Sequence, residues 1–313
     1  MAPDLSRDLA AQSPRGLNVA WLDQVLDLLA GRPCCGYRAQ AAAAVEPTAL
    51  AAMALVAGGR QRAAEPALAW LADVQAADGS LGIDAANPQP CWPTGWAVLA
   101  WSATPAWAEN PRWTAAAEKA VAWILSLRGG SLPPSPTCRH DTTLCGWPWV
   151  ESTHSWVEPT AINLLALKKS GRADHPRSRA AVAMLLDRML PSGGWNYGNT
   201  IILGNTLRPQ VQPTGLALAA LHDEPDAATH VQRSLSYLDR VLCEKTTTVS
   251  LCYALIGASA HGHRPPAADE WIEAAWQPAP KHDASPYKLA LMALARLGSD
   301  CPWFADVPLV RQR

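Results

Sequence analysis

The sequence predicts an all-α fold, an (α/α)6 toroid in which six outer helices surround six inner helices. An amphipathic helix with a charged stripe is followed by an almost uncharged helix, and this pair recurs six times along the chain. Because every helix has to bury its apolar surface, the uncharged helices belong inside and the amphipathic ones outside. Six such pairs can close into a ring, and an open solenoid of helix pairs is the alternative.

A recurring helix start is the second observation behind this prediction. Four of the uncharged helices open with the same dipeptide, namely Pro47-Thr48, Pro93-Thr94, Pro159-Thr160 and Pro213-Thr214. Proline suits the first helical position because it lacks the N–H that would be unpaired there, and its φ is already helical. A start that occurs four times indicates one structural unit used repeatedly.

The predicted elements follow one another in a regular order. Residues 1–20 form an N-terminal arm, residues 21–298 the toroid and residues 299–313 a C-terminal tail. The outer helices are predicted within residues 21–30, 67–75, 120–124, 181–185, 234–238 and 270–276. The inner helices are predicted to begin near Pro47, Pro93, Pro159, Pro213, Thr248 and Pro286.

Composition excludes several classes of protein. The chain of 313 residues is 49% apolar and 17% charged, with a net charge of −1 and no basic block, which argues against a nucleic-acid partner. No apolar run reaches the roughly 18 residues of a membrane span, so only peripheral contact with a membrane stays open. The N-terminal residues do not have the pattern of a signal peptide, which predicts a cytoplasmic protein with eight free thiols.

Two turn segments carry a resemblance to known families. Residues 75–82 and 192–195 resemble the Gln…Gly…Trp repeat of the prenyltransferase and squalene-oxidase repeat families. These families include squalene–hopene cyclases, class II diterpene cyclases and the β subunits of protein prenyltransferases. The resemblance covers roughly residues 20–298 and implies an α/α toroid. It implies much less about the reaction, because one fold hosts many chemistries.

Loop length locates the candidate site on one rim of the toroid. The long connections all run from an outer to an inner helix, at residues 34–45, 78–92, 129–157 and 193–212. Long loops on a rigid scaffold are the usual place for binding and catalysis, although they can also simply cover the mouth of the barrel. The inner helices direct their free N–H groups at this rim, which favours an anion such as a pyrophosphate.

The longest rim loop is rich in side chains that carry chemistry. Residues 140–156 hold three Trp, two His, two carboxylates and one Cys. The tryptophans are predicted to line a hydrocarbon cavity and to stabilise a carbocation by cation–π attraction, with loop packing as the alternative. The predicted ligand-binding residues are Trp92, Trp96, Trp147, Trp149, Trp156, Trp195 and Tyr197.

Glu158 is the predicted acid. In the resembling cyclases, an Asp-x-Asp-Asp-Thr-Ala motif opens an inner helix, and its middle Asp protonates an alkene or epoxide. When Thr160-Ala161 is aligned with that motif, Glu158 takes the place of the middle Asp, while Trp156 and Pro159 replace the other two acids.

Glu46 holds the equivalent position in the first repeat, and His154 and Asp141 complete the predicted catalytic set. The alternative is that both glutamates cap free N–H groups of their helices.

These features predict a terpene-cyclase-like or prenyl-chain-processing protein that binds an isoprenoid or its diphosphate in a Trp-lined cavity. A non-catalytic toroid that binds a peptide, lipid or protein partner is the alternative, and the missing acidic neighbours of Glu158 favour it. A zinc-dependent transferase that uses Asp141, Cys145 and His154 is a third hypothesis. No metal ligand and no cofactor is assigned, and zinc and magnesium stay open.

Overall fold

A computed structural model describes residues 20–104, 109–134, 138–277 and 284–303. Most of the predicted arm and tail, residues 1–19 and 304–313, lies outside these ranges. The described helices are α1 (Ala20–Gly31), α2 (Val45–Ala57), α3 (Gln61–Asp73), α4 (Thr94–Ser102), α5 (Pro111–Ser126), α6 (Val157–Lys169), α7 (Pro176–Asp187), α8 (Val211–Ala220), α9 (Ala228–Val241), α10 (Thr248–Ser259), α11 (Ala268–Trp276) and α12 (Pro286–Leu297). A short antiparallel hairpin, β1 (Ile201–Ile202) and β2 (Asn205–Thr206), lies between α7 and α8.

The even-numbered helices form a closed inner ring. Each of α2, α4, α6, α8 and α10 contacts the next even-numbered helix, and α12 contacts α2. The odd-numbered helices pack around this ring; α3, for example, contacts both α2 and α4, and α11 contacts both α10 and α12. Because the first and last inner helices touch, the fold is a toroid and not an open solenoid, which confirms the predicted architecture.

Burial separates the two layers as the charge pattern predicts. All of α4 and nearly all of α2 are buried, whereas α9 buries only one stripe. Inner helices can be buried on all sides because their side chains are mostly small or aliphatic. At the contact between α8 and α10, a Cβ added to Gly257 would lie 2.1 Å from the carbonyl oxygen of Gly215, so this crossing depends on glycine.

Three of the inner helices begin earlier than predicted. Their first residues are Val45, Val157 and Val211, so the proline of the repeated dipeptide is the third helical residue and not the first. Proline is tolerated there because the first four N–H groups of a helix have no partner within it. In α4, Pro93 is the N-cap residue, and in α12, Pro286 is the first residue, as predicted.

The threonine that follows each of the four repeated prolines clamps the rim loop before its helix. All four threonines are fully buried. Each hydroxyl accepts a backbone N–H from the loop at 2.9–3.1 Å; the pairs are Thr48 with Cys35, Thr94 with Leu81, Thr160 with Trp147, and Thr214 with Trp195. The same hydroxyls donate to backbone carbonyls, so both their hydrogen-bonding functions are used.

Two clamped residues also tie the loop to the outer layer. The indole N–H of Trp147 donates to the Ile124 carbonyl of α5 at 2.9 Å, and that of Trp195 donates to the Leu185 carbonyl of α7 at 2.6 Å. Glycine precedes both tryptophans, and a Cβ on Gly146 would lie 2.2 Å from the Thr160 hydroxyl. The Gly-Trp and Pro-Thr segments therefore work as one unit that joins outer helix, loop and inner helix.

We expect Thr160→Val to destabilise the fold by about 1–3 kcal/mol, because the Trp147 N–H would be buried without an acceptor. Urea unfolding followed by the helical circular dichroism signal measures this loss. Thr160→Ser is the matched control, since it keeps the hydroxyl and removes one methyl, at a cost of ~1 kcal/mol. An equal loss in both variants would show that the hydroxyl is not the important group.

Candidate active site

Two glutamates occupy the first turns of two inner helices. Glu46 is the second residue of α2, and Glu158 is the second residue of α6. Both are buried, with 6% and 5% of their surface exposed. Because these helices begin at the rim with the long loops, the sequence pattern and the fold together place two carboxyl groups at that end of the ring.

Glu46 is held by three tyrosine hydroxyls. Tyr37 donates to Oε2 at 2.7 Å, while Tyr253 and Tyr287 donate to Oε1 at 3.1 and 3.4 Å. Burial raises the pKa of Glu46 to about 7, and these three hydrogen bonds oppose the shift. Hydrogen bonds donated to a carboxylate stabilise its charged form, so the tyrosines favour ionised Glu46.

Glu158 has a poorer set of partners. Its Oε1 has no hydrogen-bond partner among the described residues, and a contact with the Gln212 amide of α8 is the one effect that lowers its pKa. Burial and the charge of Glu46 raise the pKa of Glu158 to about 7. Because three phenols stabilise the Glu46 carboxylate, we assign the first ionisation to Glu46 and the retained proton to Glu158.

No capping hydrogen bond to either glutamate is found among the described residues. The described hydrogen bonds to Glu46 come from tyrosine side chains, and no described helix N–H donates to Glu158. The N–H of Val157, which begins α6, donates to the Tyr197 carbonyl at 3.0 Å. The rim loops thus accept hydrogen bonds from some of the helix N–H groups that were predicted to attract an anion.

Aromatic side chains fill the centre of the ring. The ring centroids of Trp96 and Trp303 are 5.1 Å apart, and Tyr253 lies 6.4 Å from Trp96 and 6.2 Å from Trp303. These contacts cross the centre, because α4 and α10, which carry Trp96 and Tyr253, lie opposite each other in the ring. None of the three side chains is more than 1% exposed, so the centre is packed at this level.

A cavity of about 280 Å³, the rim cavity, opens beside the first turns of α6 and α8. Trp156 and Gln210 line it, and they directly precede the two helices. The acid Glu158 and its neighbour Gln212 lie two residues farther along. The remaining lining residues are Asn196, Tyr197, Gly198, Asn199, Leu207 and Arg208.

The predicted ligand-binding residues divide into three groups. Trp156 and Tyr197 line the rim cavity, while Trp92 and Trp149 meet edge to face at 4.7 Å beside a cavity of about 30 Å³. The other three are fully buried; they are Trp96, Trp147 and Trp195. The guanidinium of Arg177 lies over the ring of Trp147, 4.2 Å from the ring centroid. A role of Trp96, Trp147 and Trp195 in ligand binding stays a prediction.

The structure shows no direct link between the pair His154 and Asp141 and the two glutamates among the described residues. The His154 ring is 4.3 Å from the Trp156 ring, and no described hydrogen bond or ion pair joins His154 or Asp141 to Glu46 or Glu158. The Asp141 carboxylate accepts from the N–H and hydroxyl of Thr143, which lowers its pKa. A catalytic role for either residue stays a prediction.

The zinc-dependent hypothesis gains no ligand set from the structure. Within residues 20–104, 109–134, 138–277 and 284–303, no group of three or more His, Cys, Asp or Glu side chains is placed to hold a metal ion. None of the helices in these ranges combines the length and apolar character that a membrane crossing requires.

Sequence reasoning missed the tyrosine cluster, Gln212 and Trp303. Tyr253 and Tyr287 come from α10 and α12, more than two hundred residues from Glu46 in sequence. One available signal was that each is a phenol within the first half of an inner helix. Trp303 belongs to the predicted tail, and no pattern in the sequence linked that segment to the ring.

Comparison with known proteins supports the fold. No protein-family model matches the sequence, and no curated protein sequence matches it. Several solved structures are similar to the chain, among them the following three. A protein from Actinoplanes is 16% identical with a TM-score of 0.54, covering 84% of this chain and 80% of its own. A reducing-end-xylose releasing exo-oligoxylanase complexed with xylose is 10% identical with a TM-score of 0.56, covering 92% of this chain and 94% of its own.

The third structure is Rex8A from Paenibacillus barcinonensis complexed with xylose, which is 12% identical with a TM-score of 0.58 and covers 94% of both chains. The similarity to the two xylose complexes extends over nearly the whole of each chain. At these identities it shows the fold alone, which is that of a helical toroid.

We expect Glu158 to make stability depend on pH. Its folded pKa of about 7 exceeds the value of roughly 4.3 for an unfolded chain, so between these values the folded state binds more protons. The stability that it contributes is complete below that window and is lost as the pH rises through it. The free energy of unfolding of the native protein minus that of Glu158→Gln should fall by about 1–3 kcal/mol from pH 4.5 to pH 8.

Urea denaturation at a series of pH values measures this difference, and subtracting the variant removes the contributions of the buried histidines. Glu118, an exposed residue of α5, provides the matched control. Glu118→Gln should leave the shape of the profile unchanged. A flat difference for Glu158→Gln would contradict the assignment of a raised pKa.

Proposed function

We propose that this protein is an acid-catalysing enzyme in which Glu158 gives a proton to a ligand bound at the rim. The observation that carries the proposal is a buried carboxyl group with an unpartnered oxygen and a pKa raised to about 7. A general acid works best when its pKa lies near the working pH. The rim cavity opens beside the first turn of α6, the helix that carries Glu158, and supplies a binding place.

Glu46 has a complementary role in this proposal. Three tyrosines favour its ionised form, so it provides a fixed negative charge near the acid. When Glu158 protonates an alkene carbon, the acid becomes a carboxylate and the ligand becomes a cation. The charge of Glu46 stabilises that cation, and return of a proton from the ligand to Glu158 restores the enzyme. The net reaction is then an isomerisation or cyclisation.

A short isoprenoid diphosphate is the substrate class we favour. The class comes from the resemblance of the repeats, and the rim cavity has groups for both ends of such a molecule. Trp156, Tyr197 and Leu207 offer apolar surface to the chain, and the Arg208 guanidinium offers a positive charge to the diphosphate. A volume of about 280 Å³ and a packed ring centre favour a short chain over a long one.

An oligosaccharide is the second candidate, and the polar part of the rim cavity favours it. The amides of Asn196, Asn199 and Gln210 can bond sugar hydroxyls, while Trp156 and Tyr197 offer aromatic faces to a sugar ring. A protonated and an ionised carboxyl group are also the pair that glycoside hydrolysis requires. Two of the similar toroids are described as complexes with xylose, although that binding belongs to those proteins.

Both candidates are tested by incubating the full-length protein in D₂O with dimethylallyl or geranyl diphosphate, and separately with xylo-oligosaccharides. Protonation of an alkene carbon by Glu158 introduces deuterium, which mass spectrometry detects as a mass increase. We expect deuterium in the isoprenoid and a rate at least about 100-fold lower for Glu158→Gln, since general acids contribute roughly that much. Glu118→Gln should retain the full rate.

Calorimetric titration of the same ligands with native protein and with Glu158→Gln completes the test. Release of shorter sugars that depends on Glu158 would replace the isoprenoid proposal by the second candidate. Binding of either ligand without turnover, with equal affinity in both proteins, would identify a non-catalytic binding module. Absence of binding and turnover for both ligands would reject the proposed function.

A further inference from the structure

A second cavity, separate from the rim cavity, contains charged and nucleophilic side chains that the proposed function does not use. This side cavity has a volume of about 350 Å³ and lies between the loop before α6 and the start of the α7–α8 connection. Cys138, His140, His154 and Arg188 are among its lining residues. We infer that the side cavity binds a small organic carboxylate, with Arg188 as the anchor of the carboxylate group.

Arg188 is the residue on which this inference rests. It is only 4% exposed, and one terminal nitrogen donates to the Asp141 carbonyl at 3.0 Å and to the Asp187 carboxylate at 2.5 Å. Its Nε has no hydrogen-bond partner among the described residues. A buried N–H without a partner is costly, and Arg188 lines the side cavity, so its guanidinium is the group there that can pair with an anion.

The charge balance favours a monoanion over a dianion. Asp187 already pairs with the guanidinium, and Arg188 is the one Arg or Lys among the described residues that line the cavity. Burial and the charge of Arg188 lower the pKa of His140 to about 4, so this imidazole is neutral at pH 7. A phosphate dianion would bring two negative charges to a guanidinium that already pairs with Asp187. A carboxylate would bring one negative charge.

The other wall of the side cavity suits a short apolar group. Leu132, Pro133 and Leu144 line it, and Leu132 is one of the more exposed aliphatic side chains of the protein. A ligand with an anionic head and a small hydrocarbon part would use both walls. This pattern of mainly apolar lining with a few polar groups is typical of small-molecule sites.

The thiol of Cys138 can report whether the side cavity holds a ligand. Its Sγ lies 3.0 Å from Nε2 of His140. The backbone N–H of Thr200 donates to Nδ1 of the same ring at 3.5 Å, so Nδ1 is an acceptor. In a neutral imidazole the proton is then on Nε2; the sulfur also lies 3.3 Å from Nδ1, so it contacts the ring without accepting a linear hydrogen bond. A carboxylate bound at Arg188 shares the cavity with this thiol.

Alkylation of the full-length protein with iodoacetate and with iodoacetamide tests the inference. In both reactions the sulfur forms a bond to the CH₂ carbon and iodide leaves, but only iodoacetate carries a carboxylate. Peptide mass spectrometry gives the rates at Cys138 and at the exposed Cys243. We expect the ratio of iodoacetate to iodoacetamide rates to be about tenfold higher at Cys138 than at Cys243.

The matched variants are Arg188→Gln and Arg139→Gln. Arg139 is exposed and adjacent to Cys138 in sequence, so its loss tests simple electrostatic attraction of the reagent. Arg188→Gln should bring the rate ratio at Cys138 down to that of Cys243, while Arg139→Gln should preserve it. Equal losses in the two variants, or equal ratios at the two cysteines in the native protein, would overturn the inference.

Protection of the native protein provides a measurement that does not depend on folding of the Arg188 variant. Butyrate should slow the reaction of Cys138 with iodoacetamide, and butyramide should not, because only butyrate can pair with the guanidinium. Neither compound should affect Cys243. Protection by inorganic phosphate without protection by butyrate would overturn the assignment to a carboxylate, as would protection by both butyrate and butyramide.

Discussion

The buried threonine hydroxyl at the start of four inner helices is the contact on which the rim depends. It accepts an N–H from the preceding loop and donates to a carbonyl, so a residue 13 or 19 positions earlier is fixed against the helix. At Trp147 and Trp195 the clamped residue also reaches the outer helix through its indole. A long loop joined at both layers has few remaining degrees of freedom. The rim can therefore hold cavities in place although it has little regular secondary structure.

Closure of the ring sets the electrostatics of the site. An inner helix is buried on every side, so a charged residue in its first turn loses water and its pKa shifts towards the neutral form. Burial raises the pKa of Glu46 and of Glu158 alike, because the two residues hold equivalent positions in their helices. The difference between them comes from their neighbours, because three phenols donate hydrogen bonds to Glu46, whereas Glu158 receives a hydrogen bond from the Gln212 amide. Two equivalent positions of a repeat thus acquire different hydrogen-bond partners, which favours ionisation of Glu46 before Glu158.

The sequence contained enough information for the fold but not for the site. Charge periodicity and the repeated Pro-Thr start are local patterns, and they correctly gave two helical layers, a ring and one rim with long loops. Three helix starts were wrong by two residues, because proline is accepted anywhere in a first turn. The tyrosines around Glu46 and the packing of Trp303 against Trp96 could not be predicted. Such contacts join residues distant in sequence, and only the closed ring brings them together.

The packed centre of the ring determines where a ligand can bind. Trp96, Tyr253 and Trp303 meet across the centre, so a toroid of this kind cannot enclose a large molecule at their level. Binding is then a property of the rim, where Gly198 and Asn199 line both the rim cavity and the side cavity. Gly198 has a φ of +148°, a conformation that side chains other than glycine rarely adopt, which lets a thin backbone segment form the shared wall. Because Gly198 and Asn199 border both cavities, a ligand that displaced this segment in one cavity would change the shape of the other.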